Sequence, residues 1–433
     1  MAAWADRGGA FAEQAAWQQR LATVVETMKE LSRQTDPQEM VRNYVRRMQQ
    51  LVPVDRRISL SRRGLTWPRF RVTRFSGWDD VNPWQEGERL PILSGGLLAE
   101  LIYGDLPRII PDLNVARDDP AYEFLEGQRS LQALPLYDQG VALNMVVTTR
   151  REPDAFSVDD LPERLWMANL FGRATQNLVL AEQLQAAYNA LERELQVVAD
   201  IQRSLLPAEL PRIATMQLAA HYQTSRHVGG DYYDFFPLAG GRWGILIADV
   251  SGHGTPAAVV MAITQCITHL LGGEQERPSQ LLSQLNAHLT AGYTSSSGHF
   301  VTAFYAIFEP ETRRLTYSSA GHNPPRLRHC GESHVAALDA AGSLPLGLLP
   351  QVQYRDADIG LRPGDRLVFY TDGITEAANA QGELFGTARL DFVVGDCRDD
   401  VHGALRKLLE AISAFTGGHT ASDDRTLIVA DVV

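Results

Sequence analysis

The chain has 433 residues, 45% of them hydrophobic and 21% charged, with a formal net charge of −12. That length predicts two or three domains, and the acidic balance disfavours nucleic acid as the main partner, because a phosphate backbone needs a basic face. Three widely spaced cysteines, Cys266, Cys330 and Cys397, argue against a disulfide framework or a zinc ribbon. No apolar run approaches the ~18 residues of a membrane helix, and no signal-peptide core precedes Leu21, so a cytoplasmic protein without a membrane span is expected.

Residues 1–20 read as a tail that runs into a helix over roughly 12–33, on the spacing of Leu21, Val24, Val25, Met28 and Leu31. Asp36-Pro37 breaks it and starts a second helix, with Met40, Val41, Tyr44, Val45 and Met48 on one face. Short strands are predicted over 58–61, 70–74 and 130–136. Asp138-Gln139-Gly140 turns the last of these into a hairpin with 141–148. Phe156-Ser157-Val158-Asp159-Asp160 then leads to a helix beginning near Leu161.

Over residues 176–206 Leu184, Leu191, Val198 and Leu205 recur every seven residues, with Ala181, Tyr188, Leu195 and Gln202 at the companion positions. That is a heptad seam, and Pro207 ends it. A parallel dimer through a coiled-coil linker is expected in preference to an amphipathic helix lying on its own domain. All eleven histidines lie at or after His221, which assigns the chemistry to the C-terminal half.

That half carries four acidic clusters, each beside a predicted strand end: Gly229-Gly230-Asp231, Asp249-Val250-Ser251-Gly252-His253-Gly254, Thr371-Asp372-Gly373 and Asp423-Asp424-Arg425-Thr426. Residues 231–249 read as a hairpin. A turn centred on Gly240 sets Asp231 and Asp249 opposite each other, each nine residues away. Opposed like charges destabilise paired strands unless a cation lies between them. Clustered carboxylates beside glycine turns therefore suggest hard divalent cations held by oxygen. Asp234, three residues from Asp231, faces the other way on a regular strand. Thr255-Pro256 opens a buried apolar helix that Gly272-Gly273 stops, and further strands are expected over 300–308, 315–318, 366–370 and 426–432.

Leu134-Pro135-Leu136 through Gly140, with Phe156-Ser157-Val158-Asp159-Asp160 before the last helix, resembles a GAF domain over residues 21–175. The lack of His and Cys there argues against haem or a thioether-linked chromophore. From Leu205-Leu206-Pro207 onward the four acidic clusters, Ala320-Gly321-His322-Asn323-Pro324-Pro325, Pro345-Leu346-Gly347, Pro363-Gly364-Asp365 and Phe385-Gly386 occur in the order seen in the SpoIIE/RsbU branch of PPM-type serine/threonine phosphatases. The resemblance implies an α+β chain: a GAF-like α/β domain, a helical coiled-coil linker, and an α-β-β-α sandwich over 207–433 with two Mn²⁺ or Mg²⁺ ions.

Carried over by motif, Asp231, Asp249, Asp372 and the Val250 carbonyl are metal ligands, as are Asp423 and Asp424, of which either could be the direct one. His253 is a candidate proton donor to the leaving serine oxygen. The implied activity is hydrolysis of phosphoserine or phosphothreonine on a regulatory protein, a STAS-domain anti-sigma-factor antagonist in bacterial partner switching, controlled through the GAF-like domain. The rival reading is a non-catalytic docking module of the same fold.

Overall fold

The computed structural model describes residues 32–78, 81–271, 277–294, 298–329, 334–396 and 398–433, with Glu332 and isolated positions between 18 and 30. Most of the helix expected over 12–33, the Gly272-Gly273 stop, Cys330 and Cys397 lie outside the described residues. The chain divides into two compact units, Met1–Asn189 and Ala190–Val433.

In the first unit the helix Pro37–Leu51 starts where Asp36 accepts a hydrogen bond from the Glu39 N–H. One antiparallel sheet follows, built from β1 (Arg56–Ser61), β2 (Arg69–Phe75), β3 (Ile92–Ser94), β4 (Arg108–Ile110), β5 (Ser130–Asp138) and β6 (Val141–Arg150) in the order β3-β2-β1-β6-β5-β4. The predicted hairpin is β5–β6. Gln139 and Gly140 turn it with φ of 50° and 83°, the left-handed pair that matches strand twist. Ile58, Leu60, Val72, Met145 and Val147 bury one sheet face with Leu98 and Ile102 of the helix Gly96–Tyr103.

A single 44-residue helix, Leu161–Ser204, crosses the boundary between the units. The expected heptad seam divides along it. Leu184, Tyr188 and Leu191 are exposed. Val198, Ala199 and Gln202 instead pack within the second unit, against Val228 and Ala258 or in hydrogen bonds to Gly229. The last turns of the helix thus serve their own domain.

The second unit has two sheets face to face. One takes β8 (Tyr232–Pro237), β9 (Trp243–Val250), β10 (Val301–Glu309), β11 (Arg314–Ala320) and β14 (Gly342–Ser343), with β15 (Ala357–Gly360) on β11. The other takes β7 (Met216–Gln223), β12 (Arg326–Arg328), β13 (Val335–Ala337), β16 (Arg366–Tyr370) and β17 (Arg425–Val432) in the order β13-β12-β16-β17-β7. Phe304 of β10 meets Phe369 of β16 across the interior, with ring centroids 5.9 Å apart. Thr255–Leu271 and Pro278–Leu289 pack on the outer side of the first sheet, and Gly386–Val394 and Val401–Thr416 on that of the second. The layers are α-β-β-α. The helix at Thr255 is buried on one face only, since Val259 and Leu270 are exposed.

Candidate functional site

The two sheets bring their acidic strand ends to one edge. The β8–β9 register runs Tyr232 to Ala248 and Tyr233 to Ile247, and the Gly230 carbonyl accepts from the Val250 N–H at 3.3 Å. That register sets Asp231 opposite Asp249, with the turn at Ala239–Gly241 as expected. Asp234 faces away: it accepts from the Tyr232 hydroxyl at 2.7 Å and pairs with His269 Nε2 at 2.7 Å. In the second sheet β16 ends at Tyr370, with only Thr371 before Asp372, and Asp423-Asp424 directly precedes β17, which is antiparallel to it.

Hydrogen bonds join the two edges. Asp231 Oδ2 accepts from Thr371 Oγ1 at 2.8 Å and from Thr426 Oγ1 at 2.6 Å. Asp424 reaches the other way, taking the Ser225 N–H at 2.7 Å, the Ser225 hydroxyl at 3.2 Å and the Gly230 N–H at 2.6 Å. Both oxygens of Asp424 are therefore committed, Oδ1 to Ser225 and Oδ2 to the Gly230 N–H of the Gly229-Gly230 turn. Asp423 gives one oxygen to its neighbour's N–H at 2.9 Å and is the freer of the pair. A β-carbon on Gly229 would collide with the Asp424 carboxylate, and one on Gly373 with the Asp424 carbonyl. These close approaches explain why glycine follows or precedes the acids in both motifs.

Electrostatics sets these acids apart. Burial, and then neighbouring acids, raise the Asp249 carboxyl well above the usual carboxylate range; Asp231, Asp372, Asp423 and Asp424 all act on it. Burial also raises Asp231, with Thr426 opposing it. Asp372 is pushed up to about 6 by burial, Asp423 and Glu376, and Asp424 rises by burial against the pull of its backbone donors. The charges that act most on this cluster are its own members. Among the described residues no three acids, histidines or cysteines stand close enough to form a ready cation cage. The donor set, four carboxylates and the Val250 carbonyl beside Gly230, is oxygen only and suits a hard divalent cation.

His253 is exposed between Gly252 and Gly254, whose φ values are 90° and 79°. His322 is buried; Thr302 Oγ1 lies 2.9 Å from its Nδ1, and burial lowers its pKa to about 4. Thr302 is the β10 partner of Asp249, so this neutral imidazole braces the strand that carries the acid. Sequence reasoning missed Gln202. Its side-chain amide donates to the Gly229 carbonyl, and its oxygen accepts the Gly229 N–H at 3.1 Å. The signal was a polar residue at a heptad core position. His299 was also missed: its Nδ1 lies 2.9 Å from the Ser251 carbonyl, in the turn after Asp249.

Residues 239–433 match the family model described as Stage II sporulation protein E (SpoIIE). The chain is 31% identical over 201 residues to the phosphoserine phosphatase RsbU of Bacillus subtilis (strain 168), covering 46% of this chain and 59% of that protein. It is 26% identical over 245 residues to the phosphoserine phosphatase RsbP of the same organism, covering 56% and 58%. It thus spans less than two thirds of either relative. Among solved structures, the SiaA-PP2C domain of Pseudomonas aeruginosa superposes with a TM-score of 0.50 at 22% identity, over 57% of this chain and 99% of that one. The C-terminal half is therefore similar to SpoIIE-type domains, and its fold is that of a PP2C domain.

Proposed function

We propose that this chain is a divalent-metal-dependent PPM-type phosphatase that hydrolyses phosphoserine or phosphothreonine on a regulatory protein. The observation that carries the reading is the gathering of Asp231, Asp249, Asp372 and the Asp423-Asp424 pair at one sheet edge, where the other four acids all raise Asp249. Two Mn²⁺ or Mg²⁺ ions would be held by these four carboxylates and the Val250 carbonyl. When bound, such a pair supplies charge neutralisation for the phosphoryl oxygens and acidifies water for in-line attack.

The protein's own part is placement. Thr371 and Thr426 fix one oxygen of Asp231 and leave the other for a ligand. Asp424 orients the Gly229-Gly230 turn, which keeps Asp231 and the Val250 carbonyl in register. His253, exposed in the turn that follows Asp249, is in this reading the proton donor to the leaving serine oxygen.

The RsbU and RsbP likeness supports a phosphorylated STAS-domain anti-sigma-factor antagonist as substrate. Residues 21–175 act as a GAF-like regulatory domain in this reading, and the exposed Leu184, Tyr188 and Leu191 form a homodimer seam. The test is phosphate release from a phosphoserine STAS-domain protein and from p-nitrophenyl phosphate, with Mn²⁺ and with EDTA. Turnover of both that needs Mn²⁺ supports the proposal. Absence of Mn²⁺-dependent turnover on either substrate contradicts it and favours a docking module.

A further inference from the structure

The sheet of the first unit has a second inner face that its apolar core does not use. Arg57, Ser59 and Ser61 on β1 alternate with the core residues Ile58 and Leu60, and Gln132 and Thr148 alternate likewise with Leu131 and Val147. Such alternation normally turns the polar set to water. Here the helices Pro37–Leu51 and Leu161–Ser204 roof that face and leave a cavity of about 610 Å³. The roof is tied together. Tyr44 of one helix stacks on Phe171 of the other with centroids 3.8 Å apart and planes 7° apart, and Thr175 Oγ1 donates to Met40 Sδ at 3.7 Å.

The lining is one-sided in charge. Six arginines face the cavity and, among the described residues, no aspartate or glutamate does. Four of the six are engaged: Arg63 with Asp138, Arg164 with Asp160, Arg74 with Gln38, and Arg42 with a further partner. Arg57 and Arg71 are different. Arg71 Nε is buried with no hydrogen-bond partner. Arg57 is half-buried, and burial lowers its pKa against the pull of the nearby Tyr44.

Register then groups the open donors. Gln132 pairs with Thr148, and Thr148 with Arg57, which makes one row across β5, β6 and β1. Gln132 Nε2 and Thr148 Oγ1 are both buried without partners. Buried polar groups left unmade cost stability and mark a missing partner. The next row sets Leu134 against Val146, with Ser59 at its β1 end, and the row after it joins Asn144, Ser61 and Arg71.

We propose that this cavity binds an organic anion, its carboxylate or phosphate received by Arg57, Thr148 and Gln132 and its apolar body lying over Leu134 and Val146 toward Arg71. Guanidinium and two neutral donors in one dry row suit a charge-assisted contact, and the stacked aromatic roof suits an apolar body. The site is independent of the phosphatase reading.

The experiment is equilibrium dialysis of the full chain with 2-naphthoate and with its uncharged isostere 2-naphthamide. Expected is saturable binding of one naphthoate per chain, at least tenfold tighter than naphthamide. Arg57→Met should abolish that preference, and Thr148→Val, which keeps the shape, should weaken naphthoate severalfold. The thermal midpoint of ligand-free Arg57→Met should hold or rise, since a half-buried cation that burial disfavours is removed, so its lost binding is not lost folding. No saturable naphthoate binding, equal affinity for the two probes, or full naphthoate binding by both variants would overturn the proposal.

Discussion

At one edge of the C-terminal sandwich Asp231, Asp249, Asp372 and Asp424 are held where burial and their neighbours raise every one of them. On the roofed face of the N-terminal sheet Arg57 and Arg71 are held with no acid lining their cavity among the described residues, and burial lowers Arg57. The two regions concentrate opposite charges, and each does so without an internal counter-charge. A chain keeps such an arrangement when something outside it completes the electrostatics. They differ in preparation. The acids are already gripped by threonine hydroxyls and backbone N–H groups, which fixes their geometry. In the other region Gln132 Nε2, Thr148 Oγ1 and Arg71 Nε have no hydrogen-bond partner among the described residues. On the two proposals above, the first region positions a reaction and the second recognises a molecule.

The sharpest way to break this comparison is to remove one acid. Asp249→Asn or Asp372→Asn should cut Mn²⁺-dependent p-nitrophenyl phosphate hydrolysis by at least ~100-fold, since each ligand supports charge stabilisation worth several kcal/mol. Unimpaired steady-state turnover would show that the cluster is ordinary surface acid.

Stability should respond in the opposite direction. Carboxyls raised above their unfolded value of about 3.9 bind protons more tightly in the folded state. Their contribution is fully present below that pH and is lost as pH rises, through about 6 for Asp372 and beyond neutrality for Asp231 and Asp249. Without metal, Asp249→Asn should therefore raise the thermal midpoint at pH 8 and change it little at pH 4. Mn²⁺ should stabilise the wild type more at pH 8 than at pH 5, measured by differential scanning fluorimetry. A wild-type midpoint that is higher than the variant's at pH 8 without metal would contradict the electrostatic reading.

The hairpin with its opposed acids was legible because Gly240 marks the centre of a composition-defined turn and pairing register follows by counting. The glycines of the acidic motifs were legible as turns, but the collisions they avoid at Gly229 and Gly373 depend on Asp424, nearly two hundred residues from Gly229. Short strands such as β12 to β15 were not read, since two to four residues carry no usable period. Gln202 reads only as a companion position of the heptad seam, because a sequence does not show which surface a seam will meet. The arginine face escaped notice for a similar reason: alternation in β1 looks the same whether the polar side meets water or a roof of helices.

A smaller effect should follow from Gln202→Ala. Losing both hydrogen bonds to Gly229 removes about 1 kcal/mol each, enough to lower kcat roughly tenfold through misplacement of Asp231 while leaving the fold intact by circular dichroism. Equal kcat in the variant would reduce Gln202 to a packing residue. The smallest effect belongs to the exposed stripe of the linker helix. Leu184→Glu with Leu191→Glu should shift sedimentation toward monomer and lower turnover a fewfold, and an unchanged sedimentation coefficient would remove the seam from the account.

The most direct measurement is anomalous diffraction at the manganese edge from crystals of the full chain grown with saturating Mn²⁺. Two peaks between Asp231, Asp249, Asp372 and Asp423 are expected, with Asp424 still bonded to Ser225 and Gly230. Peaks elsewhere on the surface, or none at that edge, would contradict the assignment of these acids to a catalytic metal centre.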